Sequence, residues 1–271
     1  MTGGQVYSYS QVMQQPPRQI IFTRPAYEWI NRVAEKHAEL SKLQVSEGER
    51  EILARVSEIE FVYSTARLAG LSVSLAQVSR LSSISQLEGK EFSEADRVIA
   101  ELLASLRIIE TLARERAALT PDLILKLNNP LALGEGGFRK VTIAATGPFR
   151  PALPEHIPAL IESVCRWLTA ESFVELNPLE QASITHLRLL EIQPFERANL
   201  ETAFLAASLF TLRNQMPPII IKDEESSLYR AAVEEGARMN TRLMVELMAI
   251  AMERSLSEMI RAVKSERQKK Q

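Results

Sequence analysis

A single cysteine leaves this chain nothing to cross-link with. Cys165 has no partner for an intramolecular disulfide, and a zinc cluster built from cysteines is excluded. Its setting in the apolar run IPALIESVCRWL marks it as a small buried hydrophobe rather than a reactive thiol. Long apolar stretches are missing too. No run approaches the roughly 18 residues that a membrane span requires, and the first 20 residues lack the basic start and apolar centre of a secretory signal. A soluble cytoplasmic protein is expected. An excess of one charge is also absent: 32 Lys and Arg against 34 Asp and Glu give a formal net charge of −2, so nothing draws polyanions in general. The one basic stretch, the tail VKSERQKKQ, reads as a solvated helix end whose cations complement the helix dipole. There is no internal repeat and no evident winged-helix extension. Neither nucleic acid nor a membrane is expected as a partner.

What is present is ordinary globular composition, 46% hydrophobic and 24% charged, in a chain long enough for one substantial core or two closely packed ones. Helix signals dominate. Ser46 with Glu49, and Ser74 with Gln77, have capping-box spacing, while Thr120-Pro121 and Asn177-Pro178 each place a capping side chain before a proline suited to the first turn. In SEADRVIAELLASLRIIETLARERAAL the apolar residues Val98, Leu102, Leu103, Leu106, Ile109 and Leu112 recur at helical spacing and make a broad buried stripe. The Met-rich stretch ARMNTRLMVELMAIAMERSLSEMI reads as core packing of a terminal helix in preference to an adaptable partner surface. One segment breaks the helical pattern. GEGGFRKVTIAATGPFRP sets Phe138, Val141 and Ile143 among turn residues, which predicts a short β-hairpin or extended flap over 135–147. The first 20 residues, with Gln, Ser, Tyr and Pro-Pro, read as an extended arm on the surface or left loose.

Taken in order, these parts resemble the Fic (filamentation induced by cAMP) family with its helical N-terminal extension. The family's loop, HPFxxGNGRxxR between two helices, is matched by ITHLRLLEI leading into QPFERANLETAF, in which Pro194, Phe195 and Asn199 agree with the pattern. His186, seven positions ahead of Gln193, also fits. The segment with Phe138, Arg139 and Val141 looks like the flap that positions a target side chain by strand pairing. YSTARLAG looks like the inhibitory segment, with Thr65 and Gly70 in place and Ala69 where the pattern has glutamate. The resemblance implies an all-α protein: an N-terminal helical region (1–110) carrying the inhibitory relic (64–70), a Fic-like core (111–215) with a small β-hairpin flap (135–147) and the loop (193–204), and C-terminal helices (216–271).

It implies much less about chemistry. Gln193 stands where the family has its general-base histidine, and a carboxamide cannot take a proton near neutral pH. Arg197 stands where an acidic residue binds Mg²⁺, so no metal and no cofactor are expected. Ala198 and Leu200 replace the two glycines whose left-handed backbone turns amides toward phosphate, which should impair that nest. Glu201 replaces the first phosphate arginine and Phe204 the last. No catalytic residue is left at the family's positions. Gln193, Arg197, Asn199 and Glu201 remain as candidate ligand contacts, and Arg197 with Glu201 as a helix-surface ion pair. The expected function is a pseudoenzyme that interacts with an unidentified protein partner, without AMP transfer. Two alternatives stand beside it: a divergent nucleotidyl transferase using His186 or Glu196 as base, and a nucleotide sensor that binds through Arg197 and Asn199 without turnover.

Overall fold

Side-chain caps begin the helices at the positions the sequence marks. The computed structural model describes residues 26–83, 93–131, 136–145 and 147–269. Its first helix, α1 (Ala26–Lys42), is followed by α2 (Glu47–Leu68), which Ser46 and Glu49 start with both halves of a capping box. Ser74 Oγ accepts from the Gln77 N–H at the head of α3 (Leu75–Ser82), and Ser93 does the same for Asp96 in α4 (Glu94–Arg114). Thr120 caps α5 (Pro121–Asn128). After a 3₁₀ turn at Pro154–His156 come α6 (Ile157–Trp167) and the single turn α7 (Glu171–Val174). A second full capping box, Asn177 with Glu180, opens α8 (Pro178–Ile192). Then follow α9 (Asn199–Arg213), α10 (Ser226–Ala237) and α11 (Arg242–Lys269). The fold is all-α, as expected.

The core is organised around α9. Every residue from Leu200 to Thr211 is buried, so this helix is enclosed on all sides, as an apolar central helix must be. It packs against α8, α4, α5 and α2. From α4, Ile99, Leu102, Leu103, Leu106 and Ile109 supply the buried stripe, while Val98 and Leu112 sit at its margin. Met244, Met248 and Met252 are buried at 1% exposure or less, and Ser183 Oγ donates to Met248 Sδ at 3.2 Å. The Met-rich helix is therefore core. Cys165 is buried as well, and its apolar surroundings push the thiol up to about 11.

Two expectations change. The basic tail is only partly solvated: α11 lies along α1, and Arg267 donates to both oxygens of Glu49 at 2.9 Å and to the Leu43 carbonyl at 2.9 Å. The tail thus fastens the two ends of the helical array. The flap, in turn, forms no strand pair among the described residues. One of its backbone donors goes to the loop instead: the Arg139 N–H reaches the Pro194 carbonyl at 2.9 Å and, just beyond the flap, the Ala152 N–H reaches the carbonyl of Ile192, at the end of α8, at 3.2 Å. The Arg139 N–H, spent on the neighbouring loop, is not available to a hairpin ladder. The expected N-terminal arm lies outside the described residues. No helix among the described residues is long and apolar enough to cross a membrane.

Candidate functional site

The loop between α8 and α9 is held by main-chain contacts from every side. Helix α8 ends at Gln193, which takes a left-handed conformation (φ 47°, ψ 66°) and is 5% exposed. Arg139, 3% exposed, donates from its guanidinium to the carbonyls of Gln193 (2.7 Å), Val141 (2.8 Å) and Ala152. Burial disfavours the charged form of this arginine, and the carbonyls at the negative end of α8 offset that cost. Its role is to pin the flap onto the loop.

Further along, Asn199 Oδ1 accepts from the Phe195 N–H at 3.0 Å and its Nδ2 donates to the Phe195 carbonyl at 2.8 Å. The expected ligand donor is therefore committed to shaping the loop. Asn128, on α5, donates to the Arg197 carbonyl (3.1 Å) and to Thr202 Oγ1 (3.0 Å), and Thr202 Oγ1 donates to the Ala198 carbonyl (2.7 Å). Asn128 was not picked out from the sequence, since a lone Asn late in a short helix carries no motif. Phe195 is 2% exposed with its ring 5.8 Å from that of Phe138, so it anchors the loop in the core.

Ala198 overturns one expectation. It adopts φ 57°, ψ 33°, the left-handed turn that glycine favours, so the backbone at the head of α9 keeps the nest shape despite the Cβ. The surrounding hydrogen bonds over-determine this conformation. Replacing Ala198 with glycine is expected to raise stability by about 1 kcal/mol, read as a higher urea midpoint at unchanged slope. A lower midpoint would mean that Ala198 is relaxed as it stands.

The expected surface ion pair between Arg197 and Glu201 does not form. Arg197 is exposed, while Glu201 turns inward to 9% exposure, because position 201 lies on a helix buried from Leu200 to Thr211. No side chain among the described residues pairs with it, and burial pushes its carboxyl up to about 7 against the pull of its own backbone N–H. One turn on, Phe204 is 1% exposed and forms an aromatic trio, its ring 4.3 Å from His186 and 5.6 Å from Tyr229. His186 is fully buried, its Nε2 lies 2.9 Å from the Tyr229 hydroxyl, and burial depresses its pKa to about 3. Buried and within hydrogen-bond reach of Tyr229, this histidine has its neutral form favoured by burial. Glu196, the other candidate base, is exposed on the loop.

The segment read as an inhibitory relic closes α2. Thr65 is buried, Ala69 is half-buried, and Gly70 (φ 87°) provides the left-handed turn that ends the helix. Arg67 ties this end to Asp223 through Nε and Nη2 at 2.9 and 2.7 Å. Residues around the loop do not suit a divalent cation. Arg197 offers no ligating oxygen, Glu201 is a lone buried carboxyl, and no group of three His, Cys, Asp or Glu side chains among the described residues could hold a metal ion.

Comparison with known proteins gives a consistent result. Residues 118–211 match the Fic/DOC family model. The chain is 30% identical over 235 residues to the protein adenylyltransferase fic-1 of Caenorhabditis elegans, an alignment spanning 84% of this chain and 46% of that protein. It thus spans about half the length of the curated relatives it matches. Among solved structures, Fic-1 of C. elegans (residues 134–508) superposes with a TM-score of 0.78 at 23% identity, covering 89% of this chain and 73% of that one. A Fic domain containing signaling protein from Bacteroides thetaiotaomicron gives 0.74 at 22% identity over 86% of this chain and 98% of that one.

Proposed function

Because the chain belongs to the Fic/Doc family, we propose that it uses the family's scaffold as a protein-interaction or regulatory module and does not transfer AMP. The observation that carries this reading is the buried Glu201 carboxyl at the head of α9, where a transferred phosphate would need positive charge. Gln193 adds no basicity beside it. The contact face consists of the exposed loop residues Glu196 and Arg197 together with the exposed flap residues Lys140, Val141 and Thr142. A protein partner engaging that face would meet mixed charge around an apolar Val141.

The relatives' name, protein adenylyltransferase, favours a second reading, a divergent transferase. One observation supports it: a carboxyl pushed up to about 7 is poised for proton transfer near neutral pH, so Glu201 is the base such an enzyme would use, in place of His186 or Glu196. Thermal-shift titration with ATP and ADP, with and without Mg²⁺, paired with transfer of labelled nucleotide, separates the readings. Transfer lost in Glu201→Gln favours the enzyme, and binding without transfer favours a sensor. Silence in both assays leaves the interaction module. Restoring Gln193→His alone is expected to produce no transfer, because base, metal ligand and phosphate arginines act as a unit. Label incorporated by that single variant would show the rest of the loop to be competent.

A further inference from the structure

Helix α6 has one face that the described residues leave open. Ile157, Ile161 and Cys165 form its buried side. With about 3.6 residues per turn, the opposite side falls on Ala159, Ser163 and Arg166, all exposed, with Glu162 along one edge and Leu160 and Trp167 along the other. Leu160 and Trp167 are 40% and 39% exposed, which is unusual for side chains of their size unless something covers them. Next to Trp167 the surface dips into a cavity of about 120 Å³ lined also by Ile184, Leu187 and Met239. Small-molecule sites run upward from roughly 300 Å³, so this cavity suits a single aliphatic side chain. On the polar edge, Arg166 and Glu162 lie 3.4 Å apart, both well exposed and with no other ion-pair partner among the described residues.

We propose that α6 is the contact helix of a homodimer, in which a second copy of this chain packs its own α6 antiparallel against the first around a twofold axis. The pattern of the face is self-complementary, as a contact between identical surfaces requires. An axis level with Val164 lies equally far from Glu162 and Arg166 on the same edge, so each Glu162 meets Arg166 of the second copy and two ion pairs form by symmetry. On the other edge the same rotation brings Leu160 to Trp167 of the second copy, beside the cavity. Ala159 and Ser163, between the two edges, are small enough to let the helices approach closely. Antiparallel packing is selected by charge, because parallel copies would set the charged edge of each helix against the apolar edge of the other. None of these residues belongs to the loop or the flap, so dimerisation is read independently of AMP transfer.

The test is sedimentation velocity of the full chain, at fixed pH and ionic strength, from micromolar to hundreds of micromolar protein. The parent is expected to dimerise in this range. Glu162→Arg and Arg166→Glu each set like charges against one another across the axis and should each weaken the dimer about tenfold or more, while the double variant, which exchanges the two signs, should recover most of that loss. Ser163→Cys, facing its own copy across the axis, should form a disulfide-linked dimer on oxidation with diamide, and Ser79→Cys on α3 should not. All four positions are exposed, so the variants keep the parent's core. A parent that stays monomeric throughout the range would overturn the proposal and leave this face to a different partner. A dimer of equal affinity in both single variants would overturn it too, as would single variants whose losses persist when the two substitutions are combined.

Discussion

Phe204→Arg should cost about 3 kcal/mol or more of folding free energy, because it removes a buried ring and leaves an unpaired charge in its place. Phe204 is 1% exposed and packs against His186 at 4.3 Å and Tyr229 at 5.6 Å between centroids. His186 cannot answer a guanidinium, and Glu201 one turn earlier is its nearest carboxyl on α9. Helix α2, whose end carries Ala69, packs against α9. Adding Ala69→Glu should therefore return part of the loss, and a double-mutant cycle in urea measures the coupling directly. Full stability of Phe204→Arg, or a coupling indistinguishable from zero, would remove residues 64–70 from any relation with the loop.

Glu201→Gln should stabilise the protein at alkaline pH and do little in acid. In the unfolded chain this carboxyl titrates near 4.5, and in the folded protein burial pushes it up to about 7. Between those values the folded state holds a proton that the unfolded state has lost, so the contribution is intact below about 4.5 and is lost as pH rises through about 7. A shift of that size corresponds to about 3 kcal/mol. Glu101, half-buried and also pushed up to about 7, acts in the same direction with less weight because solvent screens it. Its share is common to both proteins, so the difference between parent and Glu201→Gln isolates position 201. Parallel stability curves from pH 4 to pH 8.5 would mean that Glu201 is solvated.

Much of this architecture was legible because it rests on local chemistry. Ser46 with Glu49 and Asn177 with Glu180 are capping boxes on paper and in space. Thr120 and Ser74 cap as their spacing suggests, and the α4 stripe is buried where its periodicity says. The flap was less legible: turn residues around Val141 and Ile143 suit a hairpin, but whether its amides meet one another or the Pro194 carbonyl is a tertiary choice that composition does not carry. At the loop, residue identity was informative and side-chain direction was not. A Glu four residues after an Arg suggests a surface pair, yet position 201 falls on the inward side of a helix buried throughout, and this was invisible until α9 was seen enclosed by α8, α4 and α5. Ala198 misled for a similar reason, since the intrinsic cost of its left-handed turn is real but is overcome by bonds from Asn128, Thr202 and Asn199. None of those three contacts has a sequence signature.

The central proposal is that the loop does not move an adenylyl group. The most direct measurement is incubation of the purified chain with ATP labelled at the α-phosphate, Mg²⁺ and a cell lysate as acceptor pool, followed by quantification of protein-bound label. The proposal predicts incorporation no greater than in a heat-denatured control. Label above that control, carried on a hydroxyl side chain and abolished by Glu201→Gln, would contradict it and identify the chain as an adenylyltransferase that uses a carboxyl in place of histidine.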